Sequence, residues 1–302
     1  MATSGSKNYA VTRADIIESA LRKLGEYDIG EAPSADETSA ATMALELMVK
    51  GWAGRGIGIW LRQQMTVLLQ KDQQKYVFGT DHITNSFVET TLSAAEALGQ
   101  TVISVTSSAG MTAADFVGIR MNDGTTHWTT IVTVDSATQI TITLATDDAA
   151  NSGKKVYAYT TKSLRPQRLK YAFRRESNID TDVDIIGEDD YFKLSTKGSD
   201  GPVTQIWYHA TLAGNLYAWP VGGDQLILLA DMLADDFDAA GNNPDFPIEW
   251  GETIVYGLAD RMAPEYGLPR MERRELKIEA REMLEAMLDY DVEHASVIFG
   301  MT

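Results

Sequence analysis

The chain has no cysteine and little histidine. Cys is 0 and His is 4 among 302 residues, so disulfide bonds and thiolate chemistry are excluded. The histidines form no ligand-like pair, and we therefore expect no metal and no cofactor. They are His82, His127, His209 and His294. Stability must then come from packing and assembly.

Long apolar runs are also missing. The sequence has no stretch of about 18 apolar residues, which a membrane-spanning helix would need. Its first residues, MATSGSKNYAVTR, contain no apolar core of the signal-peptide type. We therefore expect no membrane partner and synthesis in a cytoplasm.

Positive charge is scarce. The chain has 26 Lys and Arg against 43 Asp and Glu, a formal net charge of −17. Phosphate binding needs cations, so the overall field of this protein should not hold nucleic acid. A hydrophobic content of 44% is nevertheless enough for a sizeable core.

Helix signals are concentrated at the two ends of the chain. Thr12 followed by Asp15 is typical of a capping box, and the same pattern recurs in the Ser34 region. Pro247 favours a helix start near the C-terminus. A last helix is predicted from apolar residues that recur every three or four positions, namely Leu276, Ala280, Met283, Met287 and Tyr290. The short loop between the last two helices predicts a helical hairpin.

Strand signals fill the middle. Residues 91–161 are rich in Thr, Val, Ser and Gly and read as short strands joined by turns, with Asp123–Gly124 as a hairpin turn. In residues 64–78, apolar and polar residues alternate, which predicts a separate β-hairpin. Three further strands and one short helix are predicted, over residues 203–208, 216–219, 225–229 and 188–197.

These patterns together predict an α+β protein. The N- and C-terminal helices are expected to form a helical-bundle core over residues 1–90 and 162–302. Residues 91–161 are expected to form a small inserted all-β module, and additional short strands belong to the core.

Two charge blocks lie side by side after the module. The first holds cations without an acid, and the second holds acids without a base. Such blocks can pair within one subunit or between neighbours, or they can be two solvated faces, because exposed pairs contribute only about 0–1 kcal/mol each. The candidate inter-subunit residues are Arg165, Arg168, Lys170, Arg174, Arg175, Asp180, Asp182 and Asp184.

The acidic block begins like a calcium loop. However, Ile185 stands where such a loop needs glycine, and Tyr191 stands where a bidentate Glu belongs. A solvated acidic loop is the better interpretation.

No pattern indicates an enzyme. Nucleophile signatures are missing, and 43 acids single out no acid–base pair of the glycosidase type. The aromatic residues of the module offer a sugar platform, although core or hairpin packing is the commoner role of such residues. They are His127, Trp128, Tyr157 and Tyr159.

The order of several motifs resembles that of podovirus-type head-to-tail adaptors, also called packaged-DNA-stabilisation or head-completion proteins. The opening is TRADIIESALRKLG, followed by a second helix, a tryptophan, a Gly-rich turn and Ile59–Trp60. The middle contains LRPQRLKYAFRR, DDYFKLSTKGSDGPVTQIWYH and NLYAWPV. The ending contains DFPIEWGETIVYGLADRMAPEYGL and EHASVIFG. The resemblance covers nearly the whole chain outside the β-module.

The resemblance implies a structural virion protein, made in the cytoplasm of a bacterial host. Such proteins form a dodecameric ring below the portal, extend the DNA channel, help to retain packaged DNA and provide a surface for tail proteins or fibres. The expected partners are therefore the portal, the tail and further copies of the chain, while DNA passes without sequence-specific binding. In the family the C-terminal end reaches the portal. Here that role would fall to Ala295, Ser296, Val297, Ile298 and Phe299.

Two alternatives remain open at this stage. The chain could be a virion enzyme that hydrolyses cell-wall glycan, with the β-module as its binding part. The β-module could also contact tail fibres or spikes while the rest of the chain serves as scaffold, which is compatible with the adaptor role.

Overall fold

The computed structural model describes residues 10–25, 27, 28, 30–57 and 59–290. These residues contain five α-helices and fifteen β-strands. The chain divides into two compact units, of which one combines Met1–Arg62 with Leu233–Thr302 and the other is Gln63–Met232. We call them the helical unit and the sheet unit. The helices are α1 (Arg13–Lys23), α2 (Ala35–Gly54), α3 (Glu188–Lys193), α4 (Gly251–Met262) and α5 (Arg270–Tyr290).

The first two helices begin at the predicted caps. The Thr12 hydroxyl accepts a hydrogen bond from the Asp15 N–H (3.2 Å), and the Asp15 carboxylate accepts one from the Thr12 N–H (3.0 Å). Ser34 and Glu37 form the same reciprocal pair at the start of α2. These bonds satisfy backbone donors that a helix start leaves without partners. The predictions of both capping boxes are confirmed.

The core of the helical unit centres on Trp250, which is 1% exposed. Its ring lies 6.1 Å from that of Trp52, 5.0 Å from that of Trp60 and 5.8 Å from that of Phe246, measured between centroids. Aromatic pairs at such separations add to the stability that burial alone provides. This cluster therefore joins the end of α2, the segment after it and the start of α4.

The last helix packs on this core through part of the predicted apolar stripe. Leu276 and Ala280 are buried, and Met287 packs against the core while partly exposed. The Met283 carbonyl lies 3.5 Å from the Thr253 hydroxyl of α4. The side chain of Tyr290 falls outside the described residues.

The sheet unit contains fifteen strands. The first eight are β1 (Arg62–Leu68), β2 (Lys75–Val77), β3 (Ile83–Thr84), β4 (Val88–Thr91), β5 (Val102–Ser104), β6 (Phe116–Arg120), β7 (Thr126–Ser136) and β8 (Gln139–Ile142). The others are β9 (Lys155–Tyr159), β10 (Arg168–Glu176), β11 (Ile179–Asp182), β12 (Asp184–Ile185), β13 (Gln205–His209), β14 (Asn215–Trp219) and β15 (Gln225–Asp231).

These strands form three sheets. A five-stranded sheet has the order β11-β10-β15-β1-β3, and a four-stranded sheet has the order β12-β13-β14-β2. Both contribute side chains to one core, with Val67 and Leu228 from the first and Ile206 and Leu216 from the second. The six-stranded sheet, β4-β9-β6-β7-β8-β5, has a core of its own.

The predicted fold class is wrong. Fifteen strands in three sheets account for most of the regular structure, so the protein is mainly β and not a helical-bundle core with a small inserted β-module. The error lies mainly in residues 162–232, where six strands build most of two sheets. Four of these strands, β10, β13, β14 and β15, bury side chains in a shared core. This nonlocal burial was not visible in short strand-like segments read one at a time.

The strands predicted in this region are nevertheless present. β13, β14 and β15 match the three expected segments, and β13 pairs antiparallel with β14 from Gln205–Trp219 to His209–Asn215. The hairpin predicted over residues 64–78 is wrong, because β1 and β2 belong to different sheets. The Asp123–Gly124 turn joins β6 to β7, and Gly124 has φ +89°, a left-handed conformation that glycine adopts without strain.

Among the described residues, no helix is long and apolar enough to cross a membrane.

Candidate functional site

The predicted portal-docking segment lies outside the described residues. This applies to Ala295, Ser296, Val297, Ile298 and Phe299, and to the fourth histidine, His294. Their roles stay predictions.

Several of the predicted inter-subunit charges are engaged within the chain. Arg175 binds Asp180 through two parallel bonds, Nε–Oδ1 at 2.6 Å and Nη2–Oδ2 at 2.7 Å. This fork geometry is the strongest form of a carboxylate–guanidinium pair, and it lowers the pKa of Asp180. Arg168 and Lys170 both face Asp231, at 3.2 and 3.6 Å. These contacts link β10 to its neighbours β11 and β15.

The remaining members of the two blocks are placed differently. Arg174 Nη1 donates to the Val203 carbonyl at 3.0 Å, and Arg165 packs against the turn at Gly214. Asp182 and Asp184 are exposed. The calcium-like spacing brings no metal site together, because Asp180 already holds a guanidinium and no acid or histidine cluster of metal-binding size occurs in the described ranges. A contact of these blocks between subunits stays a prediction.

The aromatic residues of the module face inwards. Tyr157 and Tyr159 are 1% and 3% exposed. The Trp128 ring stacks on His82 at 3.5 Å with an angle of 6° between the planes. His127 is buried and lies 3.1 Å from both the Leu144 carbonyl and Asp147. A sugar platform needs an exposed ring face, so these rings serve packing.

His82 is a partly buried titratable group in this cluster. Its Nδ1 lies 2.7 Å from the Tyr159 hydroxyl. Burial, with a smaller contribution from Lys162, lowers the pKa of His82 to about 3. The imidazole is therefore neutral at physiological pH. It packs between the Trp128 ring and the Tyr159 hydroxyl.

Replacing His82 by phenylalanine is expected to flatten the acid side of the stability profile. The unfolded chain binds a proton near pH 6.5, whereas the folded chain binds it only at about pH 3. Between these values the unfolded state holds more protons, so the free energy of unfolding falls as the pH falls, by about 1 kcal/mol per pH unit from this group. Urea unfolding between about pH 6.5 and 4 measures the slope.

Exposed His209, changed to phenylalanine, is the matched control and should leave the slope unchanged. Equal slopes for wild type and the His82→Phe variant would contradict this account.

The surface with the clearest interaction chemistry lies on α5. Five cations occur at spacings of three, one, three and four residues, which places them on one side of a helix that turns about 100° per residue. All five are exposed. They are Arg270, Arg273, Arg274, Lys277 and Arg281. We call this side the cationic face.

The cationic face borders a groove of the helical unit. One part of the groove, about 900 Å³, lies between α4 and α5 and adds Arg261 to the cations of α5. A second part, about 370 Å³, extends to the end of α2 and adds Arg55. Both parts share Asp260, Arg261 and Lys277. Seven cations thus line one concave surface of a strongly acidic protein.

The close approach of α2 and α4 shapes the floor of this groove. A Cβ atom on Gly257 would lie 2.9 Å from Met48 Sδ and 3.1 Å from Trp52 Cζ2. Even a methyl group there would require the Met48 or Trp52 side chain to shift, so glycine suits this close approach. The absence of a side chain lets the two helices meet while the charged residues remain at the rim.

The groove cations are largely without acidic partners. Within the described part of the chain, Arg281 forms an ion pair with Glu285 at 2.7 Å, and none of the other six makes an ion pair. Asp260 is the one acid in the lining, and burial raises its pKa although Lys277 and Arg273 oppose that shift. A surface with six unpaired cations is suited to an anionic partner.

Helix stability does not explain this arrangement. Anionic side chains are favoured near a helix N-terminus and cations near its C-terminus. α5 departs from this pattern, because Arg270, Arg273 and Arg274 outnumber Glu272 at its start and its last turn has no basic residue. The charge pattern therefore costs helix stability, which points to a role in association.

The sequence interpretation missed this groove. The predicted features of α5 were its apolar residues, and no role was predicted for its charged residues. The usable signal was the helical spacing of the cations in a chain that has few of them. Arg55 and Arg261 join the groove only through tertiary packing, so no pattern in the neighbouring sequence predicts their place in it.

A polar network in the sheet unit joins the six-stranded sheet to strands of the five-stranded sheet. Arg120, at the end of β6, donates through Nη2 to the Leu69 carbonyl (2.8 Å) and the Gly223 carbonyl (3.1 Å). The same atom lies 3.6 Å from Asp224. Lys155 of β9 also faces Asp224, at 3.1 Å. Charged contacts of β6 and β9 thus help to hold the six-stranded sheet in place, in addition to apolar packing.

Comparisons with known proteins give little further guidance. No protein-family model matches the chain, and no curated protein matches it. Among solved structures, VP17, a capsid protein of bacteriophage P23-77, aligns over 60% of this chain and 72% of its own at 9% identity. The TM-score is 0.13, so this likeness carries no argument about fold or function.

Proposed function

We propose that this chain is a structural protein of a bacteriophage particle that forms a ring at the head-to-tail junction. In this role it docks under the portal, extends the DNA channel, helps to retain packaged DNA and provides the attachment surface for the tail. The order of motifs along the sequence motivates the adaptor role, and the cationic groove is the structural observation that supports it.

The groove supports association with protein. It is concave, it belongs to a firmly packed helical unit, and its cations are free to meet carboxylates from another chain. Arginine suits this purpose because its planar guanidinium binds carboxylates in a fixed geometry. The buried rings of the module give no support to the glycan-hydrolase alternative.

The mass of the purified protein, measured alone and with its cognate portal protein, tests the proposal directly. We expect a closed assembly of many copies on the portal. A protein that stays monomeric both alone and with the portal would contradict the adaptor role, as would its location elsewhere in the virion by microscopy of labelled particles.

Deleting residues 295–302 is expected to abolish portal binding, because this segment is proposed to contact the portal. Portal capture of the shortened chain by sedimentation measures the effect, and circular dichroism checks that the helices remain. Deleting Met301 and Thr302 alone is the control and should leave binding intact. Full binding by the longer deletion would refute the docking role of this segment.

A further inference from the structure

The side of α5 opposite the cationic face is anionic. Glu272, Glu275, Glu279 and Glu282 follow one another at spacings of three, four and three residues, which places them on one side of the helix. All four are exposed, and none makes an ion pair within the described residues. We call this side the anionic face. One helix therefore carries two oppositely charged sides, with its buried residues between them.

We infer that the cationic groove of one copy binds the anionic face of α5 from a second copy of this chain. The inference rests on the proposed ring assembly and names the contact that would hold neighbouring subunits together. Its basis is charge complementarity between two surfaces that are both exposed and both largely unpaired within the chain.

The shape of the groove favours a helix as its occupant. An α-helix with its side chains is about 10–12 Å across, and placing a helix in a groove is a common mode of protein recognition. The groove lies between α4 and α5 and reaches the end of α2, so it offers a concave surface bounded by helices.

The charge of the whole chain also favours a second copy over nucleic acid. Apart from the seven groove cations, 19 basic residues stand against the 43 acidic ones. The rest of the protein therefore repels phosphate. The same acidic surface makes a second copy an abundant source of carboxylates for the groove.

The position of the two faces sets the kind of assembly. Because they lie on opposite sides of α5, each copy can use its groove towards one neighbour and its anionic face towards the other. This is a heterologous contact, which produces a closed ring when the rotation between copies closes and a filament when it does not. A two-fold dimer would need both contacts within one interface, which faces on opposite sides of one helix do not allow.

Charge reversal on the full-length chain tests the inference. One variant, Arg273→Glu with Lys277→Glu, removes most of the net positive charge of the cationic face, because three arginines then stand against two glutamates. A second variant, Glu275→Lys with Glu279→Lys, neutralises the anionic face, because two glutamates then stand against two lysines. Each alone is expected to associate with itself at least about tenfold more weakly than wild type, because one of the two complementary faces has then lost most or all of its net charge. The two variants mixed should associate, since each supplies the face that the other lacks.

Self-association is measured by analytical ultracentrifugation, both for the purified protein and on the cognate portal protein. The control variant, Arg22→Glu with Lys193→Glu, changes the net charge as much as the first variant but lies outside the groove. It should assemble like wild type. Thermal unfolding followed by circular dichroism checks that every variant is folded.

The outcomes separate the two proposals. Wild-type assembly combined with unimpaired assembly of both charge-reversed variants would overturn the groove contact and leave the ring standing. Failure of wild type to assemble even on the portal would overturn both. Binding of a DNA duplex to wild type that the first variant loses, with self-association unchanged, would assign the groove to nucleic acid instead.

Discussion

Replacing Trp250 by alanine is expected to lower the free energy of unfolding of the helical unit by about 3–5 kcal/mol. The indole is 1% exposed and contacts the rings of Trp52, Trp60 and Phe246. Its removal takes away the buried apolar surface and leaves a cavity that these rigid rings cannot fill by small movements. The loss is comparable with much of the total stability of an average domain.

Chemical denaturation followed by far-UV circular dichroism measures this change, because the long helices of the chain belong to the helical unit. The Trp250→Phe variant is the matched control. It keeps an aromatic ring at the centre of the cluster and is expected to cost about 1 kcal/mol or slightly more. If the alanine variant unfolded at the same denaturant concentration as wild type, Trp250 would not be the centre of this core.

The same substitution has a consequence for the groove. Trp52 contacts Trp250 and also lines the groove beside Arg55. A collapse of the ring cluster would therefore move the end of α2 relative to α4. Under the proposed ring assembly, the alanine variant should also associate more weakly, whereas the phenylalanine variant should not.

The local parts of this fold were predictable from sequence. The capping boxes of α1 and α2 depend on residues three positions apart, and both were found. The turn at Gly124 depends on one dipeptide between two alternating segments, and it was found as well. Such features have their physical cause within a few residues, so a single sequence contains it.

The arrangement of the strands was not predictable in the same way. β1 and β2 are only six residues apart and look like a hairpin, yet β1 lies in the five-stranded sheet beside β3 and β15, and β2 pairs with β14. These pairings join residues far apart in the chain. Their cause is the shared core of two sheets, which no short segment reveals.

The candidate site was only partly predictable from the sequence, for a related reason. The cations of α5 were visible in the sequence, but their meaning depends on which residues face them in space. Arg175 and Asp180 show the converse case, because these two candidate residues pair with each other across adjacent strands. Charge spacing thus identifies a face, and only packing decides whether that face is already paired.

Replacing Arg120 by methionine is expected to destabilise the sheet unit by about 2–3 kcal/mol. The Arg120 side chain is 12% exposed, and its guanidinium serves the Leu69 carbonyl, the Gly223 carbonyl and Asp224. Methionine preserves most of the apolar stem and removes the donors and the charge. Two carbonyls then lose their donor, and Asp224 loses one of two cations, although its own exposure moderates the cost.

The expected change is local as well as global, which gives the test two readouts. Denaturant unfolding followed by tryptophan fluorescence measures the stability, and amide hydrogen exchange measures the protection of the Leu69 N–H, which donates to the Asp224 carbonyl at 3.1 Å. Both should decrease. Lys155→Met is the control, because Lys155 is a more exposed cation on the same carboxylate and should cost about 1 kcal/mol or less. If Arg120→Met cost no more than Lys155→Met and left exchange at Leu69 unchanged, the six-stranded sheet would be held by apolar packing alone.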